Sequence, residues 1–143
     1  MGDGIEAHVE YVSNMRFVGA ANSAHSVVMD TSAAGGEGTA SRPMELLLVA
    51  LGGCTGMDVV SILRKMRVTY DSFRLEIKGE LNSEHPKIFK EVELVYRFSG
   101  RDLPQERIEH AVELSQEKYC PVSATLRPTA EVRYRVEISD ADE

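Results

Sequence analysis

The strongest constraint on this 143-residue chain is the stretch from Met44 to Met66, where almost every helical turn is apolar on more than one side until Ser61. It opens at Ser41-Arg42-Pro43. Pro suits the first turn of a helix, Ser41 is a candidate cap, and Glu45 stands where the positive helix start favours an acid. Arg64, Lys65 and Arg67 then complement the negative helix end. A helix that is apolar all round is buried rather than laid on a surface. The pattern therefore predicts a central helix over 41–67. Its longest strongly apolar run, Leu46 to Leu51, is cut by Gly52-Gly53 and falls far short of the roughly 18 residues of a membrane span.

Alternating runs flank this helix on both sides. Ala7, Val9 and Tyr11, then Met15, Phe17 and Gly19, then Val27 and Met29 read as a three-strand antiparallel meander. The small, Gly-rich segment Thr31 to Thr39 reads as a mobile surface loop. Beyond the helix, Phe73 to Leu81 and Val92 to Phe98 form a predicted hairpin around Asn82-Ser83-Glu84-His85-Pro86. Asp102-Leu103-Pro104-Gln105 reads as a capping box. Ile108, Ala111, Val112, Ser115 and Tyr119 follow at helical spacing, and Cys120-Pro121 ends that helix and opens a short new turn. Val132, Tyr134, Val136 and Ile138 make a final strand, and Asp140-Ala141-Asp142-Glu143 reads as a disordered acidic tail. This order argues for an α+β fold with antiparallel sheets packed around the long helix. One domain spans 1–143, with strands and a loop over 1–40, and strands, the second helix with Cys120 and a final strand over 70–138.

Sixteen basic against 23 acidic side chains give a net charge of −7, which opposes general affinity for a phosphate backbone. No nucleic-acid partner is expected. The first residues, Met1-Gly2-Asp3-Gly4-Ile5-Glu6, lack the basic start and apolar stretch of a secretory signal, so the expected location is cytoplasmic. The only two cysteines, Cys54 and Cys120, lie 66 positions apart and form neither a CxxC pair nor a staple framework. His25, His85 and His110 are not at the short spacings of a zinc site, and Gly35-Gly36-Glu37-Gly38 is not a phosphate loop. No metal or cofactor is expected.

The cysteines are then either core filler or chemistry. Three glycines, Gly52, Gly53 and Gly56, surround Cys54 in mid-helix, and each costs about 0.5–1 kcal/mol relative to Ala. Their missing side chains let a helix, a second subunit or a substrate approach closely. Cys120 stands before a candidate helix start, which lowers a thiol pKa.

The stretch Pro43-Met44-Glu45-Leu46-Leu47-Leu48-Val49-Ala50-Leu51-Gly52-Gly53-Cys54, continuing to Asp58-Val59-Val60, together with Tyr119-Cys120-Pro121-Val122-Ser123, resembles the OsmC/Ohr superfamily of osmotically inducible and organic-hydroperoxide-resistance proteins. The resemblance covers essentially the whole chain. It implies an intertwined α+β homodimer and a thiol peroxidase acting on organic hydroperoxides. Cys54 would be the peroxidatic cysteine and Cys120 the resolving one, with an external dithiol as electron donor. It also implies an arginine held by a carboxylate. Arg16 lies in the N-terminal strands, where the family's arginine usually comes from, and Arg42 at the helix start. The acid is Glu45, one residue later than in the hydroperoxide-resistance branch and so about 100° further round the helix. An apolar pocket around Leu47, Val49, Leu51 and Met57 would favour bulky hydroperoxides over hydrogen peroxide. The other reading is a non-catalytic protein that binds a small ligand or sulfur species in the same apolar cleft.

Overall fold

Strands β1 (Ala7–Ser13), β2 (Arg16–Ala21) and β3 (Val27–Met29) form an antiparallel sheet in the order β1-β2-β3 in the computed structural model, which describes residues 4–140. Of the expected acidic tail, residues 141–143 lie outside the described residues. The chain's contacts divide it into two units, Met1–Leu47 and Leu48–Glu143.

In the first unit, Asn14 turns β1 into β2 with φ of +52°, and Tyr11 meets its register partner Phe17 edge-on with ring centroids 5.4 Å apart. The 31–39 loop, expected to be mobile, is pinned at both ends by one buried carboxylate. Asp30 accepts from the Thr31 N–H (2.7 Å), the Thr39 N–H (2.9 Å) and the Thr39 hydroxyl (2.6 Å). These bonds hold Asp30 below the usual carboxylate range, with the Thr39 hydroxyl the largest cause. Within the loop only glycine fits at position 36, where a Cβ would stand 1.9 Å from the Thr31 carbonyl oxygen.

The long helix, α1 (Pro43–Lys65), starts with Arg42 as its cap residue rather than Ser41. Glu45 Oε1 accepts from the Arg42 N–H (2.8 Å), which is the back-reaching half of a capping box. The second unit contains the rest of α1, β4 (Ser72–Leu81), β5 (Phe89–Ser99), α2 (Gln105–Leu114), a π turn over Ser115–Tyr119, α3 (Pro121–Leu126) and β6 (Glu131–Ser139). Its sheet has the order β4-β5-β6. Val92, Leu94, Tyr96 and Phe98 of the middle strand are buried, as their alternation predicts. On the outward face, Arg97 lies between Glu76 and Glu137, and Arg135 between Glu137 and Glu93.

Four expectations need correction. The sheets are not all antiparallel: β6 pairs parallel to β5, because the connection through α2 and α3 carries the chain back across the sheet, where a hairpin would reverse it. The α1 helix is not buried on every side. Leu51, Gly52, Thr55, Val59 and Leu63 are buried, while Val49 is 64% and Met57 75% exposed. By length and composition α1 also suffices to cross a membrane, since Gly52 to Thr55 interrupt the apolar run without interrupting the helix. Finally, Asp102 caps nothing: the cap position of α2 is Pro104, which offers no side-chain hydrogen bond, and Asp102 takes a positive φ in the turn before it.

Candidate active site

Both cysteines lie in the second unit, and both are free thiols. Cys54 is half-buried in the middle of α1, and the glycines around it differ in what they face. A Cβ on Gly52 would stand 2.7 Å from Ile77 Cδ1, and one on Gly56 3.3 Å from Leu75 Cδ1. These two glycines, one turn apart, seat α1 closely on β4. Gly53 points the other way, with nothing within 4 Å of its missing Cβ. It helps to line an open, mainly apolar groove of about 430 Å³ with Gly56, Met57, Val60, Ser61, Arg64 and Phe73. Of the pocket residues expected from the sequence, only Met57 is among these. Leu51 is fully buried, and Leu47 and Val49 are exposed elsewhere.

Cys120 is only 3% exposed and stands at the start of α3, where its Sγ accepts the Ser123 N–H at 3.4 Å. The chain reaches this position through the π turn, in which the Cys120 N–H donates to the Ser115 carbonyl five residues back (2.7 Å). One extra residue per turn shifts the phase of the helix by about 100°. Tyr119, expected on the buried stripe, is therefore half exposed, and Gln116 and Cys120 point inward instead. The anticipated drop in the Cys120 thiol pKa does not occur. Burial, which disfavours the thiolate, outweighs the donated N–H, and the neighbouring Cys54 thiol pushes the same way, so the pKa is raised to about 11.

A buried polar network lies beside the two cysteines. Ser115 Oγ donates to Asp58 Oδ2 (2.9 Å), and a carboxylate only accepts. The Thr55–Ser115 bond (2.7 Å) must then run from Thr55 to Ser115, and the Tyr96–Thr55 bond (2.6 Å) from Tyr96 to Thr55. Gln116 Nε2 donates to Tyr96 Oη (2.8 Å) and Thr55 Oγ1 (3.1 Å). Its Oε1 accepts from Ser123 Oγ (2.9 Å) and Arg127 Nη2 (3.3 Å). Arg127 Nε donates to Ser123 Oγ (3.2 Å). The Tyr96, Thr55 and Ser115 protons therefore form one directed chain ending at Asp58, while the Ser123 proton points to Gln116 Oε1. Burial of Tyr96 raises its pKa to about 12, so it remains a donor.

Apart from the cysteines, the sequence marks none of these residues as chemistry. The available signal is that Thr55 and Ser115 are polar residues on faces where helical spacing demands apolar ones.

The other expected site residues lie in the first unit. Arg16 Nη1 donates to Glu37 Oε1 (2.6 Å) and Nη2 to Ser13 Oγ (2.8 Å), with Asp30 3.9 Å away. The pair with Arg16 holds the Glu37 carboxyl below its ordinary range and raises the guanidinium's pKa. Glu45 pairs instead with Arg42, whose backbone N–H first and guanidinium (3.2 Å) second hold the Glu45 carboxyl below its ordinary range. Among the described residues, no group of three or more His, Cys, Asp or Glu side chains is placed to hold a metal ion.

Residues 36–141 match the family of OsmC-like proteins. The chain is 36% identical over 135 residues to protein YhfA of Escherichia coli (strain K12), covering 94% of this chain and 98% of that one. It is similar to a solved structure from Aquifex aeolicus VF5, with TM-score 0.80 and 32% identity over 96% of this chain and 99% of the other. A crystal structure of an organic hydroperoxide resistance protein from Legionella pneumophila shares the fold, with TM-score 0.71 and 19% identity over 94% and 96% of the two chains.

Proposed function

We propose that this chain, which belongs to the OsmC-like protein family, is a cysteine peroxidase that reduces organic hydroperoxides to alcohols. Its α+β fold is that of the OsmC and organic-hydroperoxide-resistance proteins. The observation that carries the reading is the pairing of a half-buried Cys54, next to the open side of Gly53, with a buried Cys120 whose neighbour is the Cys54 thiol.

In this reading the Cys54 thiolate attacks the terminal peroxide oxygen. An S–O bond forms, the O–O bond breaks, and the departing alkoxide takes a proton to become the alcohol. The sulfenic acid left on Cys54 is then attacked by the Cys120 sulfur. An S–S bond forms, the S–O bond breaks, and the Cys120 proton leaves with the hydroxyl as water. An external dithiol reduces the disulfide by exchange, so neither metal nor organic cofactor is required. A cytoplasmic location, where dithiol reductants are maintained, belongs to the same reading.

The resemblance assigns the activating cation to an arginine. We assign Arg16, because Glu37 and Ser13 hold its guanidinium, whereas Arg42 and Glu45 close the start of α1. In this reading Glu37 holds the arginine, the role that the resemblance implies for Glu45. A homodimer is also part of the proposal. The apolar faces of Val9, Tyr11, Val28, Val49 and Met57 are exposed in the single chain, and a second copy would cover them.

The test is consumption of cumene hydroperoxide in the presence of a dithiol. Wild-type protein should turn over and prefer cumene hydroperoxide to hydrogen peroxide, Cys54→Ser should be inactive, and Arg16→Gln should be at least about tenfold slower. A protein that only binds small ligands would leave the hydroperoxide intact and keep its ligand affinity in Cys54→Ser.

A further inference from the structure

We propose that Gln116 and Thr55 are positioning residues for disulfide closure: the Gln116 side chain ties the helix turn that carries Cys54 to the segment that presents Cys120. This rests on the peroxidase reading for its place in a reaction, but not for its test.

Gln116 is 4% exposed, and its amide uses both ends. The Nε2 end grips Thr55, the residue after Cys54, and Tyr96 of β5. The Oε1 end accepts from Ser123, whose own N–H donates to the Cys120 sulfur. Gln116 itself sits inside the π turn whose extra residue aims Cys120 inward. Each cysteine is therefore one short link from the same amide. Arg127 braces this arrangement by donating to both the Gln116 carbonyl (3.1 Å) and the Ser123 hydroxyl (3.2 Å). Buried networks of this kind fix geometry because any other arrangement leaves a polar group unpaired. Fixed geometry is what an intramolecular sulfur–sulfur attack needs, since its rate depends on alignment of the two atoms.

Neither residue touches the hydroperoxide in this account, so the first step should be indifferent to them. In Gln116→Glu the amide donor to Thr55 and Tyr96 is lost while side-chain size is kept. In Thr55→Val the hydroxyl is lost, and in Thr55→Ser it is retained.

Two readouts test the proposal. With one equivalent of cumene hydroperoxide, Gln116→Glu and Thr55→Val should form Cys54 sulfenic acid at the wild-type rate but close the disulfide about tenfold more slowly, leaving sulfenic acid trappable with both cysteines present. In a dithiol–disulfide buffer without peroxide, the same variants should hold a disulfide about tenfold less stable, a potential shift of about 30 mV for two electrons. Thr55→Ser should match wild type in both. Unchanged potentials and closure rates would overturn the proposal, as would equal slowing of both steps or a Thr55→Ser variant as impaired as Thr55→Val. If wild type closes its disulfide in the buffer but never with hydroperoxide, the peroxidase reading fails, and the potentials of the variants still decide the positioning role. If it closes in neither, both fail.

Discussion

Gly52 and Gly53 are neighbours in sequence and opposites in surroundings. Gly52 lies against Ile77, so a methyl group there must push a well-packed side chain aside; Gly53 faces open space beside Cys54. Alanine at either position gains helix propensity, about 0.5–1 kcal/mol. At Gly53 that gain is uncompensated, and Gly53→Ala should raise stability in urea unfolding by this amount. At Gly52 the clash offsets it, and Gly52→Ala should be neutral or destabilised by about 1 kcal/mol. A more stable Gly52→Ala than Gly53→Ala would contradict the placement of α1 on β4. The Cys120 thiol makes a second prediction. With its pKa at about 11 in the folded protein against an ordinary 9.0, the folded state holds this proton more tightly. Below about pH 9 the thiol is protonated in both states and contributes nothing to pH dependence. Between about pH 9 and about pH 11 only the unfolded chain loses the proton, so folding stability falls across that window. Denaturation at several alkaline pH values should show this fall in wild type and a shallower one in Cys120→Ser. A wild-type curve no steeper than the variant's would contradict the burial argument. Both cysteines were legible in the sequence as candidate chemistry, but the sign of the Cys120 shift was not. A helix start is visible in Cys120-Pro121, whereas the burial that outweighs it depends on packing from other elements.

The end of α1 carries the clearest prediction for a secondary-structure element. The Val68 N–H donates to the Leu63 carbonyl (3.0 Å) and the Arg67 N–H to the Arg64 carbonyl (3.1 Å), the paired bonds of a Schellman motif, with Val68 and Leu63 buried together. The left-handed position of that motif, usually glycine, is held by Arg67 with φ of +60° and an exposed side chain. Arg67→Gly should therefore stabilise the protein by about 0.5–1 kcal/mol, read as a higher urea midpoint with unchanged slope. A lower midpoint would show that the arginine makes a stabilising interaction of its own. Elements whose signal is local were readable in advance. The meander, the β4–β5 hairpin, the start of α1 at Pro43 and the alternation of Val92 to Phe98 all follow from period and turn chemistry. The parallel pairing of β6 was not readable, because alternation specifies faces and not direction. The π turn was not readable either: its single extra residue leaves composition unchanged but moves Tyr119 out and Gln116 in, and with Gln116 goes the network that links the two cysteine segments.

At the scale of the whole molecule, the exposed apolar side chains call for a partner surface. In the first unit only Gly19 and Asp30 are buried among the described residues, and a three-stranded sheet alone has little core to stabilise it. On α1, Val49 and Met57 remain exposed. The homodimer proposal predicts a sedimenting mass of twice 15.8 kDa, and Met57→Lys or Val49→Lys should shift the population toward monomer at low concentration. A monomeric wild-type protein would contradict it. The two-cysteine cycle is tested by the intact mass and free-thiol count of reduced protein before and after one equivalent of cumene hydroperoxide. A two-cysteine peroxidase should lose both thiols with a mass decrease of about 2 Da, and should trap a sulfenic acid on Cys54 when Cys120 is replaced by Ser. Two thiols still reduced, under conditions where a control thiol peroxidase is oxidised, would contradict it.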